Sequence, residues 1–170
     1  MPVALILAGA GVVGLTLYLA LTYSQLATGI PTMDRPQIRF NVLKEAEFNG
    51  LDPQVLVGLI YSESRGDPNN FVGDGGTSFG PGQAHLGGNP DALGAVGYTG
   101  NGQDLLDEAT GIKYAALVLK FYLGPSYGNG DYRTAIAWYK GGHGWQSEQA
   151  QGEMRTTVDT VNSFFPGAIA

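Results

Sequence analysis

The sequence predicts a mainly α-helical single domain carried behind an apolar N-terminal segment. The first observation is a charge boundary: Asp34 is the first side chain charged at neutral pH, so all 9 basic and 15 acidic residues of this 170-residue chain lie after position 33. The second is a set of stretches in which apolar side chains recur with a 3.6-residue period, bounded by residues that start or stop helices. The third is that the glycine-rich segments between them carry no such period and read as loops. The organisation expected is an anchor over residues 1–23, a linker over 24–36 and one domain over 37–170, which is long enough to bury a core without staples.

Residues 2 to 23, PVALILAGAGVVGLTLYLALTY, are uninterrupted by charge. At about 1.5 Å per residue such a run spans a hydrocarbon layer of roughly 30 Å, which predicts a membrane-spanning helix. Tyr18 and Tyr23 are expected near one interface. A cleaved secretory signal would carry a basic leader, and no Lys or Arg precedes this run. Arg35 and Arg39, the nearest basic residues, slightly favour a cytoplasmic C-terminal side.

Residues 24–36 are punctuated by Gly29, Pro31 and Pro36 and read as a linker. A helix is expected from about Ile38 to Phe48, with Val42, Leu43 and Ala46 inward and Asn49-Gly50 as its stop. Asp52 and Pro53 then make a helix start, a side-chain acceptor followed by a residue that needs no amide partner. Leu56, Leu59, Ile60 and Glu63 fall on one face of that helix. Residues 87 to 103, with six glycines and Pro90, are read as loop framing a cleft. Further helices are expected over 104–123, ended by Gly124-Pro125, over 131–141 with Asp131 as cap, and over 153–165, stopped by Pro166.

Composition narrows the chemistry. A net charge of −6 and a pI near 4.7 argue against a nucleic-acid partner, which asks for a basic face. Cysteine is absent, which excludes disulfides and thiolate metal sites. His85 and His143 are too far apart in sequence for a compact metal motif, so no metal and no cofactor are expected.

Glu63 is the badly placed carboxylate. If the helix frays before it, the group sits in water; if the stripe continues, burial and the negative end of the helix dipole both raise its pKa. A carboxylic acid that stays protonated near neutral pH is what a general acid needs. After it come Gly73, Gly75, Gly76, Gly80 and Gly82, which allow main chain to approach a ligand closely. No lysine follows Gly80 or Gly82, so the loop is not a phosphate cradle.

Glu63-Ser64, followed by Ser78-Phe79-Gly80-Pro81-Gly82-Gln83, is similar to the Glu-Ser and Gly-Leu-Met-Gln signatures of the lytic transglycosylase and goose-type lysozyme superfamily. Ala137-Trp138-Tyr139-Lys140-Gly141-Gly142 resembles its Ala-Tyr-Asn-Ala-Gly motif, and Asp107 to Tyr114 resembles the helix between them. The resemblance covers roughly residues 40 to 165, in the family's order. It implies a lysozyme-like fold that cleaves the β-1,4 bond between N-acetylmuramic acid and N-acetylglucosamine in peptidoglycan.

On that resemblance Glu63 protonates the glycosidic oxygen and then accepts a proton from the attacking hydroxyl. In transglycosylases this hydroxyl is the sugar's own C6 group, giving a 1,6-anhydro end. In goose-type lysozymes an aspartate in the glycine loop positions water instead, a role that would fall to Asp74; otherwise Asp74 is a turn residue satisfying local amides. Ser64 would support the acid or contact the sugar, Ser78 belongs to the signature that binds substrate, and Gln83 would bond the acetamido region. Tyr139 would point its hydroxyl at Glu63. Pro81-Gly82 and Lys140 depart from the pattern; Lys140 is expected to point to water.

The expectation is therefore a membrane-anchored lytic transglycosylase, single-pass, with its domain facing the cell wall. Its partners would be glycan strands and, through residues 2–23, a lipid bilayer. A short anchored domain without wall-binding repeats would also suit a phage virion that opens the wall locally. The alternatives are a goose-type hydrolase using Asp74, and a non-catalytic glycan-binding or structural membrane protein.

Overall fold

Asp52 and Pro53 open the helix around which the domain is built, and the computed structural model, which describes residues 26–88 and 90–170, shows how the chain folds back onto it. The Asp52 carboxylate accepts from the Gln54 amide at 2.8 Å, and the helix α2 runs Pro53–Ser64. Val55, Leu56, Val57, Leu59 and Ile60 are all buried, so this helix is covered on nearly every side. Gly58 explains one of those contacts. A Cβ there would stand 2.3 Å from Val161 Cγ2 and 3.0 Å from Val161 Cα, so only glycine lets the last helix approach so closely.

The helix before it, α1, spans Pro36–Asn49 and buries Ile38, Val42, Leu43 and Ala46. It closes on Gly50 at φ 64°, with the Leu51 amide bonding back to the Ala46 carbonyl at 2.9 Å, the arrangement a glycine after a helix makes possible.

After α2 the chain forms a small antiparallel sheet, β1 Val72–Gly73, β2 Ser78–Phe79 and β3 Ala84–His85, in that order. A short helix α3, Ala92–Ala95, is capped by Asp91, and a single 3-10 turn at Asp104–Leu106 precedes α4, Glu108–Tyr122. Helix α5 covers Tyr132–Gly141 and α6 Glu148–Phe164, started by the side chains of Asp131 and Ser147. α1 lies against α4 and α2, while α6 lies against α5 and α2. The molecule is thus mainly helical, with its core between these helices.

Several expectations change in detail. Helix 104–123 divides into a 3-10 turn and α4 because Asp107, not Asp104, is the cap, accepting from the Thr110 amide at 2.9 Å. The last helix begins at Glu148 rather than 153, and the 87–103 stretch contains α3. The stretch read as a linker joins the core from residue 26 onward: Leu26 and Met33 are each 1% exposed. Asp34 gathers the amides of Thr28 and Gly29 at 2.8 and 2.9 Å, which folds the segment into a turn. The membrane helix expected over residues 2–23 lies outside the described residues. Among the described residues no helix is long and apolar enough to cross a membrane.

Candidate active site

The C-terminal turn of α2, the sheet and the end of α5 converge on one cleft of about 450 Å³. Glu63, Asp74, Ser78, Gln83 and Tyr139 all line it, joined by His85, Lys140 and Glu153. The helical stripe does continue to Glu63: Leu56, Leu59 and Ile60 are buried, and the Glu63 side chain is only 12% exposed.

Lys140 stands against that carboxylate, its Nζ 2.7 Å from Oε1 and its own side chain also 12% exposed. The expectation that Lys140 points to water is therefore corrected. α5 ends beside α2, and the cleft wall offers the ammonium one close anion. At that distance the ammonium both neutralises and hydrogen-bonds the carboxylate. Burial raises the Glu63 carboxyl above its ordinary value of 4.5; Lys140 pulls it back only in part, and the Glu153 and Asp74 carboxylates push it up again. The net direction is upward, because desolvation of a carboxylate outweighs one neighbouring cation here.

The Tyr139 hydroxyl lies near enough to Glu63 to feel its charge, but its hydrogen bond goes elsewhere. It donates to the Gly82 carbonyl at 2.7 Å, and burial holds the phenol well above its usual range, so it stays a donor. This contact accounts for Gly82. A Cβ there would lie 2.3 Å from Ala115 Cβ and 3.1 Å from the Tyr139 oxygen, so glycine lets the loop wedge between α4 and α5. Glycine at position 82 is thus a packing solution.

Gln83 sits at φ 48°, a left-handed conformation unusual for a residue with a side chain. Its amide nitrogen donates to the Asn70 and Gly80 carbonyls at 2.9 and 3.0 Å, which pins the loop. Gly73 makes room for that amide, since a Cβ there would fall 2.0 Å from Gln83 Oε1. Ser64 does not reach the cleft. It is 1% exposed, donates to the Pro81 carbonyl at 2.7 Å and accepts from the Gly66 amide at 3.2 Å, tying α2 to the loop. The sugar-contacting role expected of Ser64 is corrected to a structural one.

No family model, curated protein or solved structure matches this chain. The site must be read from its own geometry. Ser78 is 1% exposed and donates to Asp74 Oδ2 at 2.5 Å; on its other side its oxygen lies 3.1 Å from His85 Nδ1. Asp74, at φ 50°, curls back to meet it.

His85 and Glu153 are the cleft residues that sequence reasoning missed. His85 is brought in by pairing opposite Ser78 across β2 and β3, a register no pattern of two-residue strands announces. Glu153, on α6, accepts from Gln149 at 3.0 Å. Together with Lys140 it also borders a shallower polar groove that includes Glu148 and Thr156.

The arrangement is chemically one buried carboxyl able to give a proton into an open cleft, faced by polar groups that accept or hold one.

Proposed function

We propose that this chain is a peptidoglycan-cleaving enzyme with a lysozyme-like domain, a lytic transglycosylase acting on the β-1,4 bond between N-acetylmuramic acid and N-acetylglucosamine. Glu63 is its general acid. The observation that carries this reading is the Glu63 carboxyl on the inner wall of a cleft, largely shielded from water, with burial holding its pKa above the ordinary value. Bond cleavage needs a proton delivered to the leaving oxygen, and a shielded neutral carboxyl supplies it at the pH where an exposed one is ionised. Charge on the ring is met by the substrate's N-acetyl group, so no second enzymatic nucleophile is required.

The uncharged run over residues 2–23 would hold the domain to a membrane with its cleft towards the wall, an arrangement that suits entry by a phage particle. Detection of the chain in purified particles tests that last step; its absence there counts against it.

A second reading is favoured by one contact. Lys140 beside Glu63 stabilises the carboxylate form, as would suit a glycan-binding module that keeps the cleft without the chemistry. Zymography on peptidoglycan with the wild type and Glu63→Gln separates the two. Clearing by the wild type alone supports the enzyme; equal clearing, or none from either, removes the role given to Glu63. Mass spectrometry of the released fragments then decides between anhydro ends and, if Asp74 helps to position water, reducing ends.

A further inference from the structure

The hydrogen-bond chain from Asp74 through Ser78 to His85 fixes where one proton sits. A serine hydroxyl carries a single proton. Ser78 gives it to the Asp74 carboxylate at 2.5 Å, so the 3.1 Å contact with His85 has the imidazole Nδ1–H donating to Ser78 Oγ. The other ring nitrogen, Nε2, then holds the lone pair. Ser78, the middle of this chain, is 1% exposed, which keeps water from competing for its hydroxyl, whereas Asp74 and His85 are exposed and line the cleft. A histidine in the lining of a cleft, with one nitrogen oriented by a fixed acceptor and the other keeping its lone pair, is set up to take a proton.

The Glu63 carboxyl in the same cleft supplies the reason to need it. Once Glu63 has given up its proton, the resulting carboxylate faces the Lys140 ammonium at 2.7 Å. The ammonium already lies against Oε1, where it competes with any hydroxyl that would hand this carboxylate a proton. The chemistry has two proton transfers, and a second acceptor in the cleft can serve the later one.

We propose that His85 takes the proton of the attacking oxygen, with Ser78 and Asp74 as positioning residues that fix its tautomer. This rests on the glycan-cleaving reading above. In the step, the Glu63 proton passes to the leaving sugar's O4 as the C1–O4 bond breaks. The attacking oxygen bonds to C1, and its proton goes to His85 Nε2. The imidazolium so formed is answered by Asp74 through Ser78, and it returns its proton to Glu63 through solvent before the next turnover. The attacking oxygen belongs either to water or to the sugar's C6 hydroxyl; both are O–H groups that must lose a proton.

The test compares release of soluble fragments from peptidoglycan by the full chain, His85→Ala, Ser78→Ala and Glu63→Gln, each with and without sodium azide. Azide is a nucleophile with no proton to lose, so it bypasses a missing base and not a missing acid. His85→Ala is expected to lose about 100-fold in rate, to regain it in azide, and to yield glycosyl azide ends by mass spectrometry. Glu63→Gln should stay inactive in azide. Ser78→Ala, which keeps the imidazole and frees its tautomer, should lower kcat and leave KM unchanged. Anhydro or reducing ends from the wild type identify the oxygen as the C6 hydroxyl or water. His85→Ala within about threefold of wild type, or a loss that azide does not repair, overturns the proposal. An inactive wild type removes the underlying reading instead, and that failure shows in a separate arm.

Discussion

Lys140 Nζ and Glu63 Oε1 are 2.7 Å apart at the inner wall of the cleft, each on a side chain only 12% exposed. Two opposed effects act on one carboxyl there. Burial favours its neutral form and the ammonium favours its anion, and burial is the larger.

Replacing the cation tests that balance. In Lys140→Met the carboxyl loses the group that lowers its pKa, so the neutral acid survives to higher pH. The alkaline limb of the pH profile for peptidoglycan cleavage should move upward. A limb that stays in place, or moves down, means that Lys140 does not govern the acid.

Linkage gives a second expectation. A carboxyl whose folded pKa lies above its unfolded value contributes stability that is fully present below the unfolded value and is lost as pH rises through the folded one. Glutamine does not titrate. Urea unfolding of wild type and Glu63→Gln across pH 4 to 8 should therefore show the difference shifting steadily in favour of the variant as pH rises. A difference shifting towards the wild type would mean that the ion pair, not burial, sets the pKa.

The α2 and α6 contact should be intolerant of a methyl group. In Gly58→Ala the new Cβ would stand 2.3 Å from Val161 Cγ2 and 3.0 Å from the Val161 backbone. Overpacking of this kind costs about 1–3 kcal/mol, measurable as a lowered urea midpoint. Val161→Ala in the same chain should recover part of the loss, because it removes the nearer atom and leaves the backbone. An unchanged Gly58→Ala midpoint would contradict the packing described.

Tyr139→Phe removes the donor to the Gly82 carbonyl, a bond of 2.7 Å. Stability should fall by about 1–2 kcal/mol, as when a largely buried acceptor loses its partner, and cleavage should weaken without vanishing. Complete loss of cleavage with unchanged stability would instead give the hydroxyl a direct part in the chemistry.

These residues also show what the sequence made legible. α2 could be read from Asp52 and Pro53, and its stripe led correctly to a shielded Glu63, because cap chemistry and helical period are local properties. α6 was cut short because Gln149, Gln151 and Gly152 carry no apolar period, although Ser147 caps the helix earlier. The sheet was missed because each strand has two residues, too few for alternation to register. The turn at 26–35 looked like a linker because glycine and proline punctuate both; only tertiary contact buries Leu26 and Met33. Lys140 and His85 depend on pairings between distant segments, α5 with α2 and β3 with β2, and no spacing within one segment encodes those. Ser64 and Tyr139 were placed in the right neighbourhood, but their hydroxyls turn to the carbonyls of Pro81 and Gly82, which hold the loop in place.

The central claim is that burial beats the neighbouring ammonium at Glu63. Its most direct test is an NMR titration of the Glu63 side-chain carboxyl carbon in the ligand-free protein. The account predicts a midpoint above the ordinary 4.5; a midpoint below that value would mean the carboxyl is held as an anion by Lys140, and the proposed acid would not be one.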